Sequence, residues 1–319
     1  MAALAAASTT SVPESAMRGL KGGRVGSDVV GWAATQVESL SHLDDIVGGS
    51  RCLSLTHGDL NIVLTLLKRA RYNSSTERGL QRAVAELGRL AGWLASDAGF
   101  HKLAEQYWHQ GLVAARAICD HGYAAYLLAN LGLQASFTGA PLTAVHLLEA
   151  ARGEVGEPTN LALLAILDAW QVTPYALLGE RQEASHRLNR ADDLYDRRRP
   201  ENDPAWLYWM FRPSHNPESG RAFLTMAEPR TAERLLTEGL DQVPAEFPRD
   251  QQLYLIGIAE ARQAQPKRLD EAVHAATQAL GTSPDLDSPR ARERLVEFAK
   301  QLPRELATRD FLDRIRAFT

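Results

Sequence analysis

The chain repeats itself at an interval of forty residues, and this period constrains its fold more than any other feature of the sequence. Gly99, Gly139 and Gly179 each end one apolar helical pattern and precede another, and they stand 40 residues apart (139 − 99 and 179 − 139). An alanine follows each glycine after five residues, and two later alanines share this local context: Ala104, Ala144, Ala184, Ala232 and Ala272. Four residues beyond the alanine, four of the five segments carry a large apolar residue: Trp108, Leu148, Leu188 and Leu236. A fixed period of this size is typical of stacked helical repeats.

Backbone geometry explains why these residue types recur. Glycine permits the left-handed conformation that ends the first helix of a hairpin, and alanine is small enough for two helices to cross closely. The large residue one turn later fills the remaining space. Apolar segments of helical length continue along the chain without alternating strand patterns. We therefore predict an all-α fold, a tetratricopeptide-like superhelix (solenoid) of αα-hairpins, with a HEAT-like variant as the alternative.

The predicted helices divide the chain into four parts. Residues 1–26 are rich in Ala, Ser, Thr and Gly, and are expected to form a flexible leader or linker remnant. Residues 27–74 are expected to form an N-terminal helical cap, and residues 75–281 five helical hairpins of about 40 residues each. Residues 282–319 are predicted to be C-terminal capping helices, because the ends of a helical stack need a cover for their apolar faces.

Composition and motifs argue against several classes of function. The chain has 35 Lys and Arg against 39 Asp and Glu, a formal charge of −4, so we expect no direct nucleic-acid binding. The only cysteines, Cys52 and Cys119, are far apart, which argues against a disulfide framework or a zinc site. Neither an export signal nor an apolar stretch near the length of a membrane helix is present, so we expect a cytoplasmic protein without membrane contact. Sequence motifs for metal, nucleotide or nucleophile chemistry are absent as well, and we predict no catalytic residue, no metal and no cofactor.

The regular pattern is interrupted in the fourth hairpin. Residues 206–211 concentrate aromatic side chains, and Pro213 and Pro217 then break what should be a first helix. In one interpretation the aromatic residues belong to the core of a broken hairpin, and the insert at 212–217 is a surface loop. In the other interpretation the break opens a ligand pocket or partner surface, with Trp206 and Trp209 as contact residues.

A solenoid of this type presents the first helix of each hairpin on its concave side, where a ligand can contact several repeats. By register, we expect this surface to include Arg89, Trp93, Asp97, Tyr126, Phe137, Thr173 and Arg221. Packing between repeats is the alternative role for each of them, above all for Trp93 and Phe137. Arg89 and Asp97 are the favoured contact residues, because polar groups have little reason to point into a core.

Several short segments resemble a family of regulators. They are Gly23-Arg24-Val25-Gly26, Leu43-Asp44-Asp45 with Gly48-Gly49, Ala91-Gly92-Trp93, Asp97-Ala98-Gly99, Trp206-Leu207-Tyr208-Trp209 and Leu253-Tyr254-Leu255. Together they resemble the tetratricopeptide-repeat sensor region of actinobacterial Xre-type (helix-turn-helix) transcriptional regulators, over most of residues 23–281. The DNA-binding domain of such regulators is not expected here, since the first predicted helix already begins at residue 27. The insert at 212–217 also departs from the family pattern.

Three hypotheses about function follow. The resemblance implies a ligand- or peptide-responsive interaction domain of a transcription-control protein, whose partner is a peptide, a small molecule or another protein and which forms a homodimer through its end helices. A constitutive protein–protein scaffold or adaptor is the alternative, and binding without a conformational change would favour it. The third hypothesis is an enzyme or enzyme partner of a biosynthetic cluster with a pocket near residues 206–217, which a deep cavity with converging ionisable groups would favour.

Overall fold

A computed structural model describes residues 11–47, 49–155, 160–244, 247–282, 288–303 and 306–318, and this part of the chain is built from fifteen α-helices. The helices are α1 (Glu14–Gly19), α2 (Ser27–Val47), α3 (Gly49–Arg69), α4 (Ser74–Asp97), α5 (His101–Ala117), α6 (His121–Phe137), α7 (Pro141–Glu154), α8 (Leu161–Leu177), α9 (Arg181–Arg197), α10 (Pro217–Thr225), α11 (Pro229–Leu240), α12 (Pro248–Gln263), α13 (Leu269–Gly281), α14 (Pro289–Lys300) and α15 (Leu306–Phe318). Within the described residues the only extended pairing is an isolated bridge between Arg24 and Arg71. The prediction of an all-α fold is confirmed. None of the helices in this part of the chain is long and apolar enough to span a membrane.

Consecutive helices pack as adjacent pairs, which we call hairpins. The pairs α4–α5, α8–α9, α10–α11, α12–α13 and α14–α15 are in contact, and α6 meets α7 where Gly132 lies against Leu148. We call α4, α6, α8, α10, α12 and α14 the first helices and their partners the second helices. The first helices α8, α10, α12 and α14 also pack successively against one another.

The turn inside five of these hairpins has the same left-handed backbone. Gly99, Gly139 and Gly179 have φ angles of 81°, 79° and 80°, as their spacing predicts. Ala227 and Lys267 adopt φ angles of 59° and 62° at the equivalent position, five residues before Ala232 and Ala272. The turn is therefore a property of the repeat and not of glycine alone. It also makes the hydrogen bonds of a helix C-cap: the Phe100 N–H donates to the Ala95 carbonyl at 2.8 Å, and the Glu228 N–H to the Phe223 carbonyl at 2.8 Å.

The small and large residues of the repeat lie in the core, as their spacing indicates. All five repeat alanines are fully buried, and so is Leu148, while Trp108 is 1% exposed. The large side chain of the second helix packs on a glycine of the first: a Cβ placed on Gly92 would lie 2.3 Å from Trp108 Nε1, and one on Gly220 would lie 2.5 Å from Leu236 Cγ. A side chain at either glycine would push the two helices apart.

The chain divides into two compact units. Unit 1 comprises Met1–Leu131 and Gly153–Val155, and unit 2 comprises Gly132–Arg152 and Gly156–Thr319. In unit 1, α4 packs against α2, α3 and α5. The segment predicted to be a flexible leader differs from the expectation over its described residues, since it contains α1 with a buried Ala16 and its Val25 N–H donates to the Arg71 carbonyl at 3.0 Å. Residues 1–10 lie outside the described part of the chain.

Unit 2 has a continuous apolar core that runs from α8 to α15. Leu236, Ile256, Ala276 and Leu295 are fully buried in it, and Phe298 and Phe311 meet edge to face at 5.8 Å between ring centroids. The helices predicted to cap the chain, α14 and α15, pack on α12 and α13 respectively. They therefore cover apolar side chains of the last repeat.

The segment between α9 and α10, which includes the insert at 212–217, contains short 3₁₀ turns at Pro200–Asn202, Ala205–Leu207 and Pro213–His215. Helix α10 begins only at Pro217, where the Asn216 side chain accepts a hydrogen bond from the Glu218 N–H at 2.9 Å. Trp209 stacks on Trp170 of α8 with 6.3 Å between ring centroids, and its Nε1–H donates to the Trp206 carbonyl at 3.1 Å. Both tryptophans are half-buried. The aromatic segment therefore packs in part against α8 of the preceding hairpin.

Candidate functional site

The residues predicted to line a binding surface fall into two groups, and those of unit 1 lie mostly in its interior. Asp97 and Tyr126 are 4% and 3% exposed, and Arg89 and Trp93 are partly buried. Burial raises the pKa of Tyr123, whose side chain meets Arg89, and the Tyr123 ring contacts Tyr126 edge to face at 6.0 Å. Asp97 therefore lies in the core, contrary to the expectation that polar residues of α4 stay out of it.

Three predicted residues of unit 2, in contrast, come together on the first helices. Phe137 ends α6, Thr173 lies on α8 and Arg221 lies on α10, and each of them is half-buried. Charged residues that sequence reasoning did not single out connect them. We call this group the first-helix cluster: Phe137, Thr173, Glu218, Arg221, Glu260, Arg290 and Arg294.

Glu218 lies at the centre of the first-helix cluster. Its carboxylate is 3.5 Å from Arg221 Nη1 and 3.7 Å from Arg290 Nη1 of α14, and its side chain is only 12% exposed. The Thr173 hydroxyl donates to the Glu218 backbone carbonyl at 3.3 Å. The Arg290 guanidinium lies over the Phe137 ring, 5.4 Å from its centroid. Glu218 thus connects α8, α10 and α14, and Arg290 extends the contact to α6.

Glu260 of α12 forms the second anionic group of the cluster. Arg294 donates Nε–H to Glu260 Oε1 at 3.3 Å and Nη2–H to Oε2 at 2.9 Å, which is a bidentate arrangement. Arg221 Nε lies 3.5 Å from the same Oε2 atom. Two guanidinium groups from α10 and α14 therefore flank one carboxylate.

Burial and neighbouring charges oppose each other within the cluster. Burial alone would raise the pKa of Glu218, but Arg221, Arg290 and Arg294 together lower it below its usual value. Burial lowers the pKa of Arg294; Glu260 raises it and Arg221 lowers it further, so that the pKa stays below its ordinary value. The cluster therefore favours the ionised form of Glu218, while the carboxylates around Arg294 do not fully offset the effect of its burial.

A second charged group in unit 2 was also missed from the sequence. Asp168 of α8 is fully buried and accepts hydrogen bonds from Arg152 Nη1 at 2.9 Å and from Arg187 Nη1 at 3.3 Å. Arg190 Nε is also 3.3 Å from this carboxylate. Because the arginines belong to α7 and α9, the group ties three consecutive helices together and has a structural role.

A cavity of about 420 Å³ lies beside the insert, between α9 and α11. Several polar residues around it have partners: the Ser214 N–H donates to Asp192 Oδ1 at 3.2 Å, Arg212 pairs with Asp196, and Gln242 Nε2 is 2.9 Å from His215 Nδ1. Neither Trp206 nor Trp209 lines it. No group of three or more metal-ligating residues occurs anywhere in the described residues.

No protein-family model matches the chain, and no curated protein matches it.

Proposed function

We propose that the chain is a ligand- or peptide-responsive interaction domain of a cytoplasmic regulatory protein, built as a tetratricopeptide-like superhelix. The recurring hairpin with its left-handed turn and buried alanine supports the repeat architecture. In such an architecture the first helices line the surface on which ligands bind.

The first-helix cluster is the observation that carries this proposal. Three residues that the repeat register predicts for the binding surface are connected to Glu218: Thr173 and Arg221 contact it directly, and Phe137 is linked to it through Arg290. They belong to three different helices. Arg221 is 39% exposed, so a charged donor stays accessible at the edge of a group that is otherwise mostly buried. Partly exposed arginines that carboxylates hold in place are preorganised for binding, because little side-chain entropy is lost when a ligand arrives.

The regulatory role rests on the resemblance to sensor regions of Xre-type transcriptional regulators. In that role the domain would change its conformation when a peptide or small molecule binds, and it would pass this change to a partner protein. A constitutive scaffold is the alternative, since it would use the same surface without a conformational change.

A thermal-shift titration tests the proposal. The purified chain is mixed with low-molecular-mass and protein fractions of an extract from its source, and mass spectrometry identifies whatever raises its melting temperature. We expect a low-molecular-mass ligand that no longer stabilises the Arg221→Gln variant. Arg197→Gln is the control, because Arg197 is likewise an ion-paired arginine, with Asp193 at 2.8 Å, but belongs to the second helix α9.

Hydrogen exchange of the free and ligand-bound chain separates the two alternatives. A sensor should gain protection in first helices beyond the contact site, whereas a scaffold should gain it only at the contact. Stabilisation by a protein fraction alone, equal in wild type and Arg221→Gln, would contradict the sensor proposal.

A further inference from the structure

Two arginines of the first-helix cluster lie side by side with one carboxylate between them. Arg221 Nε and Arg294 Nη2 approach the same oxygen, Glu260 Oε2, at 3.5 and 2.9 Å. Two guanidinium groups this close repel each other unless an anion separates them. Glu260 is the anion that lies between these two donors, which come from different helices, α10 and α14.

Arg294 has a donor that no described residue uses. Its Nε and Nη2 atoms are occupied by Glu260, while Nη1 is buried and has no hydrogen-bond partner within the described part of the chain. The Arg294 side chain is only 10% exposed. Leaving a buried charged donor without an acceptor costs free energy, and an acceptor from outside the chain removes that cost.

Access to this donor comes from its neighbour. The Arg221 side chain is 39% exposed, so one edge of the pair faces solvent while the Arg294 side lies deeper. Thr173, on the adjoining first helix, places a hydroxyl next to the same turn of α10 through its bond to the Glu218 carbonyl. A ligand that approaches along the first helices therefore meets Arg221 before it reaches Arg294.

We propose that Arg221 and Arg294 bind a carboxylate group of an extended peptide, an inference that rests on the proposed function. Guanidinium groups bind planar carboxylates through paired hydrogen bonds. A monoanion fits better than a phosphate dianion, because Glu218 and Glu260 already place two negative charges beside the pair. The carboxylate comes either from the C-terminus of the peptide or from an Asp or Glu side chain.

Acetate is the first probe, because it presents a carboxylate without a peptide. It is titrated into the full chain while the Nε–H signals of Arg221 and Arg294 are followed by NMR, with chloride at equal ionic strength and sulfate as the comparison anions. We expect saturable shifts with acetate only. Equal shifts with chloride, or tighter binding of sulfate, would overturn the inference.

Synthetic peptide libraries in three matched forms are the second probe. One form has a free C-terminal carboxylate, one has a C-terminal amide and a single Asp, and one has a C-terminal amide and no acidic residue. Enrichment of the first or the second form identifies the source of the carboxylate. Equal binding of the third form would show that the arginine pair does not recognise a carboxylate, while the proposed function of the domain would still hold. Binding of acetate without binding of any peptide would contradict the claim that the ligand is a peptide, but would support the carboxylate site.

Two variants with opposite expected effects on affinity distinguish a change in the site from a loss of folding, because an unfolded variant could only bind more weakly. Arg221→Gln should weaken binding of acetate and of the selected peptide about tenfold, as expected for one charge-assisted hydrogen bond. Glu260→Gln should tighten binding, because it removes the carboxylate that competes for both arginines. Arg197→Gln should leave binding unchanged. Weaker binding in Glu260→Gln than in wild type would contradict the arrangement proposed here.

Discussion

Single charged residues inside unit 2 have to be considered together with the partners that hold them. Glu218 is nearly buried and stays ionised only because Arg221, Arg290 and Arg294 lower its pKa against the effect of burial. The stabilisation is therefore present at pH values above the pKa of an unfolded glutamate, and it is lost as the pH falls through the lower pKa of the folded state. The ionisation of Glu218 should therefore be visible in the pH dependence of the free energy of unfolding.

Replacement of Glu218 by Gln tests this dependence. At pH 7 we expect the free energy of unfolding to fall by about 3 kcal/mol, because Arg221 and Arg294 then share the single carboxylate of Glu260 and Arg290 loses its ion pair with Glu218. The difference from wild type should narrow as the pH falls through the folded pKa of Glu218, as measured by chemical denaturation over a pH series. Glu297→Gln, which removes an exposed partner of Lys300, is the control and should change stability by less than about 0.5 kcal/mol. A difference that does not vary with pH would contradict the electrostatic explanation.

Asp59 of α3, in unit 1, has a raised pKa, in contrast to the lowered pKa of Glu218. Burial raises its pKa, and the hydrogen bond from Gln36 Nε2 at 2.9 Å only partly opposes this effect. Because the folded state disfavours the charged form, Asp59→Asn should increase the free energy of unfolding at pH 7. The gain should vanish as the pH falls below the raised pKa, where the wild-type carboxyl is protonated. Denaturation at several pH values measures this, and a gain of equal size at low pH would show that titration of Asp59 is not the cause.

At the scale of the element, the cost of the left-handed backbone in a hairpin turn can be measured apart from any steric effect of the side chain at that position. A Cβ at Gly139 would meet no atom within 4 Å, so any cost of a side chain there comes from the left-handed backbone alone. Ala227 and Lys267 already adopt this conformation without glycine. The turns are therefore determined by the packing of the two helices, and glycine only lowers their cost.

Reciprocal substitutions test this explanation of the turns. Gly139→Ala should lower the free energy of unfolding by about 1 kcal/mol, and Lys267→Gly should raise it by a comparable amount. Gly31→Ala is the matched control, since Gly31 lies inside α2 with equally open surroundings and ordinary helical φ. It should stabilise the chain by about 1 kcal/mol, because alanine is the better helix former. If Gly139→Ala stabilised the chain as Gly31→Ala does, the turn would carry no backbone cost.

At the scale of the whole molecule, local features were predictable from the sequence and distant contacts were not. The turns, the buried alanines and the hairpins follow from residues a few positions apart, so their spacing of 40 residues was sufficient to place them. Contacts such as Arg290 over Phe137 join α14 to α6, and they depend on how successive hairpins are rotated inside unit 2. A charged pair such as Arg290 and Arg294 on one face of a helix was a visible signal, but its partner Glu260 lies on another helix. Asp97 misled the sequence argument because its helix is buried on more sides than an amphipathic pattern suggests.

The C-terminal helices provide a test of unit 2 as one cooperative structure. Leu295 and Phe298 of α14 and Phe311 and Ile315 of α15 are nearly fully buried in the same core as α12 and α13. Burial of each large apolar side chain contributes about 1.5–3 kcal/mol, so a chain that ends at Thr282 should lose several kcal/mol. Hydrogen exchange should show reduced protection of the α12 amides. The α4 amides serve as the internal control, because α4 belongs to unit 1.

The loss of protection should also reach the next hairpin. Repeats that are stabilised mainly by their neighbours transmit a loss of stability to one another, so the protection of α10, which packs on α12, should fall as well. Unchanged protection of α10 and α12 would mean that each hairpin is stable without its neighbours, and the first-helix cluster would then have to be treated as a local pairing of side chains.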